Sequence, residues 1–250
     1  MIYITGDTHA EFNRFNAHNF PEQKDMTKDD YVIICGDFGG VWDNSKAECH
    51  WLDWLNDKPF TTMFVDGNHE NFDLLAKLPV QEWNGGKVHF VRDSVIHLMR
   101  GQVFTISDKR FFTMGGASSH DISDGILEPD DPYFMSKRKL LDKRNAMYRV
   151  NHVSWWKEEL PSDTEYAEAR NNLAACEWKV DYIVSHCCPT GVANMLGSGM
   201  YKADQLTDFL QEVSERCEFR QWYFGHYHDN RVIMKKYGLL YEQIIPLSAS

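Results

Sequence analysis

Carboxylate, amide and imidazole side chains recur in short turns that are spread along the chain. The five stretches are Gly6-Asp7-Thr8-His9, Gly36-Asp37, Gly67-Asn68-His69-Glu70, His186 and Gly225-His226-Tyr227-His228. One skipped residue separates Asp7 from His9 and His226 from His228, which puts both side chains of each pair on one side of an extended segment. Nitrogen and oxygen donors without a thiolate suit Mn, Fe, Zn, Co or Ni rather than an iron-sulfur cluster or copper(I). The stretches together therefore predict a metal site, with enough donors for two ions.

A site of this kind would attract an anion. Two divalent ions bring about +4 charges, Asp7 and Asp37 remove about two, and a hydroxide between the ions removes about one more. The remaining charge of roughly +1 favours a phosphoester substrate, because such a substrate is anionic. A single stretch would be more typical of ordinary surface or core polarity, whereas five at strand ends are hard to explain by packing.

Further residues are weaker candidates for substrate contact. Arg14 follows the first stretch and could clamp a phosphate, as could the basic run Lys137, Arg138 and Lys139. Both are more typical of solvated charges. Gly115 and Gly116 precede His120 and Asp121. Their backbone could cradle a phosphate, or it could simply form a tight turn.

The elements that must position these residues follow from short runs rich in β-branched and aromatic residues. Strands are predicted over 2–5, 31–35, 61–65, 182–185 and 222–224, with a crossover helix over 45–55. The first three strands start about thirty residues apart, which is the length of a βαβ unit. Sites in α/β sheets form beyond the carboxyl ends of the strands, so the five stretches are expected to converge there.

The remaining segments differ in texture. Residues 87–116 predict an antiparallel meander, and the long irregular segment 117–161, with a short helix over 154–160, is typical of a lid or binding loop. Helices are predicted over 164–178 and 203–217, and a hairpin over 231–247 turning at Tyr237-Gly238. No repeat or linker divides the chain, so we expect one α/β domain over residues 1–250 with a lid-like insertion at about 117–161.

Composition excludes several classes of protein. The chain has 250 residues with 43% hydrophobic and 25% charged residues, which is typical of a globular protein. Its net charge of −11 disfavours extended nucleic-acid binding. There is no apolar run of the length that a membrane span needs, and the first residues do not resemble a signal peptide. A cytoplasmic location is therefore expected, with the six cysteines reduced.

The motif series resembles that of the calcineurin-like metallophosphoesterase family. GDTH, GDFGG, GNHE, SH and GHYH occur in the order and spacing of that family. The resemblance implies a four-layer α/β/β/α sandwich with two mixed β-sheets, the meander being part of the second sheet. It also implies a hydrolase with a dinuclear centre and manganese as the favoured ion. The implied ligands of one ion are Asp7, His9, Asp37 and His228, and those of the other are Asp37, Asn68, His186 and His226.

The resemblance further implies that Asp37 bridges the ions and that His69 acts on the leaving group rather than on metal. One departure bears on the substrate. Members similar to protein phosphatases have an Asp and an Arg where this chain has Gly40 and Val41. Losing that bidentate clamp favours a phosphodiesterase or small-molecule phosphatase, with a phosphorylated small molecule or nucleotide as substrate. A protein Ser/Thr phosphatase, a nuclease and a non-catalytic binding scaffold are the alternatives.

Overall fold

The structure is a computed structural model that describes residues 1–247. Its strands alternate with helices in the first and last thirds of the chain and follow one another directly in between. The strands are β1 (Ile2–Thr5), β2 (Tyr31–Ile34), β3 (Thr61–Phe64), β4 (Val80–Trp83), β5 (Gly86–Arg92), β6 (Val95–Leu98), β7 (Gln102–Ile106), β8 (Lys109–Met114), β9 (Ile126–Leu127), β10 (Arg149–Val150), β11 (Tyr182–Ser185), β12 (Gln221–Phe224), β13 (Arg231–Ile233), β14 (Tyr237–Leu239) and β15 (Ile245–Pro246). The α-helices are α1 (Lys46–Asn56), α2 (Phe72–Leu75), α3 (Phe134–Lys143), α4 (Asp163–Ala175), α5 (Thr190–Gly197) and α6 (Gln205–Arg216).

Two large sheets organise the chain. The first has the order β15-β1-β2-β3-β6-β5-β4, and the second has the order β13-β14-β12-β11-β8-β7. Strands β1, β2, β3 and β6 run parallel, as do β14, β12, β11 and β8, while the outer strands are antiparallel. Both sheets are therefore mixed, as predicted.

Alternation along the strands sorts the apolar side chains into layers. Ile33 of β2 packs between the two sheets with Val184 of β11, whereas its neighbour Ile34 faces the outer layer with Leu52 of α1. On the far side of the second sheet, Ile183 packs against α4, α5 and α6. The order helix, sheet, sheet, helix is the expected α/β/β/α sandwich.

Segment 87–116 is antiparallel but divides between the sheets. β5 and β6 belong to the first sheet, and only β7 and β8 belong to the second. The chain crosses at Gly101, whose positive φ of +71° and close approach to Ala169 of α4 suit a residue without a side chain. The expectation that the whole meander belongs to the second sheet is therefore wrong.

Two other local expectations differ from the structure. The 231–247 hairpin turns at Met234 and Lys235, both with positive φ, rather than at Tyr237-Gly238. Tyr237 is instead buried in β14, where it packs with the second sheet's outer core. The helix expected over 154–160 is only a 3₁₀ turn at Lys157–Glu159.

Segment 117–161 has structure of its own, comprising α3, the parallel pair β9 and β10, and that 3₁₀ turn. Asp73 of α2 fastens it to the first sheet, because its carboxylate accepts hydrogen bonds from the Trp156 indole (2.8 Å) and the His152 ring (2.9 Å). Its action as a lid stays a prediction. None of the helices in the described residues has the length and apolarity of a membrane span.

Candidate metal centre

The five stretches found in the sequence meet at one edge of the sandwich. Three follow the parallel strands β1, β2 and β3, and two follow β11 and β12 of the second sheet. Within each sheet these strands point the same way, so their carboxyl ends open on a common edge.

One group of donors gathers around the buried carboxylate of Asp7. Ligand atoms of Asp7, His9, Asp37 and His228 all lie within 4.8 Å of one another. His228 Nε2 is 3.2 Å from Asp7 Oδ2 and 3.1 Å from His9 Nε2. This is the set that the family resemblance implies for one ion.

A second group lies on the other side of Asp37. His186 Nε2 is 3.4 Å from Asp37 Oδ1 and 3.2 Å from Asn68 Oδ1. The ring of His226 packs edge-on against that of His186, with centroids 5.0 Å apart. Asp37 faces both groups, because its Oδ2 is 3.7 Å from His9 Nε2.

The electrostatics of the cluster suit a bound cation. Asp7 and Asp37 are almost completely buried, and their nearest ionisable neighbours are imidazoles. Burial disfavours a charged His186, but Asp37 and Asp7 outweigh it and raise its pKa to about 10. Burial and the neighbouring His186 lower the pKa of His226. Buried carboxylates with imidazole and amide donors are a ligand set that fits divalent transition ions.

The backbone of the turns is shaped for close approach. A Cβ at Gly67 would strike the Asp37 carboxylate, and one at Gly225 would strike that of Asp7. Several of the predicted ligands take positive φ, for example 44° at Asp37 and 68° at His226. Non-glycine residues in this region cost energy and cluster at functional sites.

His69 lies beside the donor groups and is absent from the cluster around Asp7. Its backbone N–H donates to Asp37 Oδ1 over 2.8 Å, and its half-buried ring stands 5.4 Å from that of His9, centroid to centroid. The side chain is therefore left available to something bound at the centre.

The candidate substrate contacts take different positions. The Arg14 guanidinium donates to the carbonyl oxygens of Asp7 (2.6 Å) and Tyr241 (2.6 Å). These bonds connect the first turn, which contains Asp7, to the segment that contains Tyr241. His120 is exposed, with Nε2 2.9 Å from His226 Nε2 at the rim of the site. Asp121 pairs with Arg149 of the 117–161 segment.

Sequence reasoning gave no role to three polar residues that hold the turns in place. The buried Glu70 carboxylate accepts from the backbone N–H groups of Phe38 (2.6 Å) and Gly39 (3.2 Å), which ties the second turn to the third. Asn68 Nδ2 donates to Ser119 Oγ over 3.3 Å, and Ser119 Oγ donates to Glu159 Oε2 over 2.6 Å. Glu70 stands within GNHE, but no local pattern pairs Ser119 with Glu159.

Comparison with known proteins finds relatives of low sequence identity. Lariat debranching enzyme A of Xenopus laevis is 25% identical over 146 residues, which cover 51% of this chain and 26% of that protein. The lariat debranching enzyme of Drosophila pseudoobscura pseudoobscura is 22% identical over 255 residues, or 91% of this chain and 42% of that protein. The chain thus spans less than half the length of these curated relatives.

The match to a family is more extensive. The family model for calcineurin-like phosphoesterases matches residues 1–230, a range that contains all five stretches whose donors meet at the sheet edge. With its two-sheet sandwich and its Asp and His cluster, the chain belongs to the calcineurin-like phosphoesterase family.

Proposed function

We propose that this metallophosphoesterase is a phosphodiesterase that works with two divalent ions bridged by Asp37. The observation that carries the proposal is the position of Asp37, whose Oδ1 faces His186 at 3.4 Å while its Oδ2 faces His9 at 3.7 Å. One carboxylate within reach of both donor groups is the arrangement that a bridged pair requires.

The chain's residues divide between the two ions. Asp7, His9 and His228 would hold one, Asn68, His186 and His226 would hold the other, and Asp37 would hold both. When bound, two divalent ions lower the pKa of a water between them and stabilise the attacking and leaving oxygens. Manganese is the ion we favour, within the set of Mn, Fe, Zn, Co and Ni that these donors suit.

His69 supplies the proton for the leaving group in this scheme. Its backbone is fixed by Asp37 Oδ1 at 2.8 Å, and its ring borders an open cleft. A positioned imidazole can donate a proton to a departing alkoxide, which would otherwise leave as a strong base.

The side chains around the site suit a phosphodiester substrate better than a phosphomonoester. Gly40 has no side chain, and the Val41 side chain is buried against the outer core of the first sheet. Neither position can therefore supply the carboxylate and guanidinium that would clamp a phosphate dianion. Because Arg14 is engaged with backbone carbonyls, we assign it to holding the first turn rather than to substrate. His120 remains our candidate for a substrate contact at the rim.

The natural substrate is proposed as a phosphorylated small molecule or nucleotide in the cytoplasm. All six cysteines lie among the described residues, and each is a free thiol, as a reducing compartment allows. A branched substrate is a second candidate, because the curated relatives are named lariat debranching enzymes.

The test is hydrolysis by protein stripped of metal and reloaded with Mn²⁺. Bis-p-nitrophenyl phosphate, p-nitrophenyl phosphate and a labelled branched oligonucleotide are compared side by side. We expect the diester to be turned over faster than the monoester, and Asp37→Asn to abolish turnover and weaken both ions. Preference for the monoester would contradict the diester assignment. If Asp37→Asn binds two ions as tightly as wild type, the bridge is wrong.

A further inference from the structure

A cleft of about 400 Å³ opens beside the donor groups, on the side where His9 and His69 stand. Its lining includes three aromatic residues, Phe12, Trp42 and Trp51. The volume falls within the range of small-molecule sites. It is a separate hollow from the donor cluster, and no metal ligand other than His9 borders it.

The two positions that would carry the charged clamp, Gly40 and Val41, supply no charged group to the cleft. A Cβ at Gly40 would stand 2.5 Å from the Phe38 ring and 3.0 Å from the Phe12 ring. Val41 turns into the core, where it is 5% exposed. Neither residue therefore offers a substrate the guanidinium or carboxylate that the clamp would provide.

The two tryptophans are held in fixed positions. Trp42 meets Trp156 edge-on at 5.4 Å between centroids, and its backbone N–H donates to the Glu48 carboxylate over 2.6 Å. Trp51 packs edge-on against Trp54 at 5.3 Å. Both are only half-buried, so each has ring surface left to contact a ligand. Rigid aromatic walls favour a flat aromatic ring, because they lose little freedom on binding.

The charges around the cleft disfavour a second phosphate. Asp43 and Glu48 contribute carboxylates, and none of the described residues lining the cleft is Lys or Arg. Hydrogen bonds from the backbone and side chain of Ser45 lower the pKa of Asp43, which keeps it ionised. The occupant should therefore be aromatic and carry no negative charge, as the base of a nucleoside does.

We propose that this cleft binds the base of an uncharged nucleoside, the alcohol that leaves when the phosphodiester is cleaved. The proposal rests on the proposed function, because the cleft borders His69 and the leaving oxygen must reach that imidazole. It assigns the substrate class as a diester whose leaving group is a nucleoside. The specificity then comes from Trp42 and Trp51.

The first test measures binding without catalysis, in metal-free protein, with adenosine as the probe and isothermal titration calorimetry as the measurement. Trp42→Ala should weaken adenosine binding by about 5- to 150-fold, the range equivalent to stacking of one base on an aromatic side chain. Ala47→Trp, a change at an exposed position of α1 that lines the cleft, should weaken it similarly by filling the space. Trp178→Ala is the matched control. Trp178 does not line the cleft and packs against the Arg216 guanidinium instead, so its substitution should leave adenosine binding unchanged.

Adenosine 5′-monophosphate should bind metal-free protein more weakly than adenosine, since the carboxylates repel its phosphate. The proposal is overturned if adenosine does not bind wild type at millimolar concentration, or binds Trp42→Ala and Ala47→Trp as well as wild type. Equal binding of adenosine and its monophosphate would overturn the assignment of an uncharged occupant.

The second test uses the Mn²⁺-loaded enzyme with a dinucleoside monophosphate and with bis(2,2,2-trifluoroethyl) phosphate, a diester that carries no aromatic ring. A nucleoside leaves from the first diester and a small alcohol leaves from the second. Trp42→Ala should reduce kcat/KM for the first by about 5- to 150-fold more than for the second. An equal reduction for both would contradict the cleft assignment. If wild type hydrolyses neither diester, the proposed function fails, and adenosine binding to the metal-free protein still decides the cleft.

Discussion

His69 is the residue whose substitution separates proton transfer from metal binding. Its contact with Asp37 is made by the backbone N–H, which His69→Ala keeps, so we expect the metals to stay bound. The kcat should fall by about 10²- to 10⁴-fold for an alkoxide leaving group, the usual range for a positioned acid. A nitrophenolate, which departs without protonation, should suffer little.

The measurement is kcat for alkyl and nitrophenyl diesters, with metal content determined in the same samples. Equal losses for both leaving groups would reassign His69 to stabilising charge in the transition state. Loss of metal would place it among the ligands instead.

Ser119 acts one step further from the metals. It receives a hydrogen bond from the Asn68 amide and donates to Glu159, which leaves Asn68 Oδ1 aimed at His186. Removing such an outer partner typically costs about 10- to 100-fold in metal affinity. We therefore expect Ser119→Ala to weaken binding of one Mn²⁺ by that factor, as seen in a metal titration.

The neighbouring Ser118 provides the matched control for this change. Its hydroxyl bonds Asp204 rather than a proposed ligand, so Ser118→Ala should leave both affinities near those of wild type. Equal metal affinities in wild type and Ser119→Ala would show that Asn68 needs no such support.

At the scale of elements, a buried ion pair connects the end of β3 to the turn between β6 and β7. Arg100 donates to Asp66 Oδ2 through Nε at 2.7 Å, and it also donates to the Glu158 carbonyl at the base of the 117–161 segment. Removing one partner of a buried pair leaves an uncompensated charge, which costs about 3–5 kcal/mol. Arg100→Met should lower the free energy of unfolding by that amount in urea denaturation.

Arg170→Met is the comparison for this measurement. Arg170 pairs with Glu212 between α4 and α6, but the Arg170 side chain is 44% exposed. Breaking an exposed pair should cost less than about 1 kcal/mol. Similar losses in both variants would mean that burial does not set the strength of the Asp66 pair.

The contact between Asp73 of α2 and His152 of the 117–161 segment should respond to pH. The hydrogen bond to Asp73 raises the pKa of His152 and outweighs the opposing effect of burial. Because the folded pKa is raised, the contribution to stability is present below the ordinary value near 6.5 and is lost as pH rises through the folded value. Titration by NMR should find the His152 pKa above 6.5 in wild type, and Asp73→Asn should return it toward 6.5.

At the scale of the whole molecule, metal should stabilise the fold, since donors from both sheets contribute to one site. An ion present at 100 times its dissociation constant adds about 2.7 kcal/mol. For a chain of this size, that corresponds to a rise in Tm of roughly 5 to 11 °C. Scanning calorimetry with Mn²⁺ and with EDTA should show this difference in wild type and a much smaller one in Asp37→Asn. If the Tm is the same with EDTA as with Mn²⁺, this would argue against a metal site shared between the sheets.

The sequence by itself determined the donor set and the strands that carry it, because both depend on local patterns. Short runs rich in β-branched and aromatic residues specify the strands. The polar residues directly after β1, β2 and β3 are then the donors expected at the sheet edge. The family match, the two mixed sheets and the four layers agree with expectations drawn from such patterns and the motif series. The sheets and layers were predictable because the motif series, read from five short local stretches, resembles that of a family with this fold.

Only the tertiary structure decided which distant groups meet. The imidazoles of His9 and His228 touch across 219 positions of sequence, and Ser119 reaches Asn68 across 51. Whether Arg14 turns toward substrate or toward carbonyl oxygens depends on Tyr241, which arrives from the far end of the chain. The division of β5 to β8 between the sheets and the cleft above Gly40 have the same origin. Such contacts depend on how the layers pack, and no spacing of residues along the chain encodes that packing.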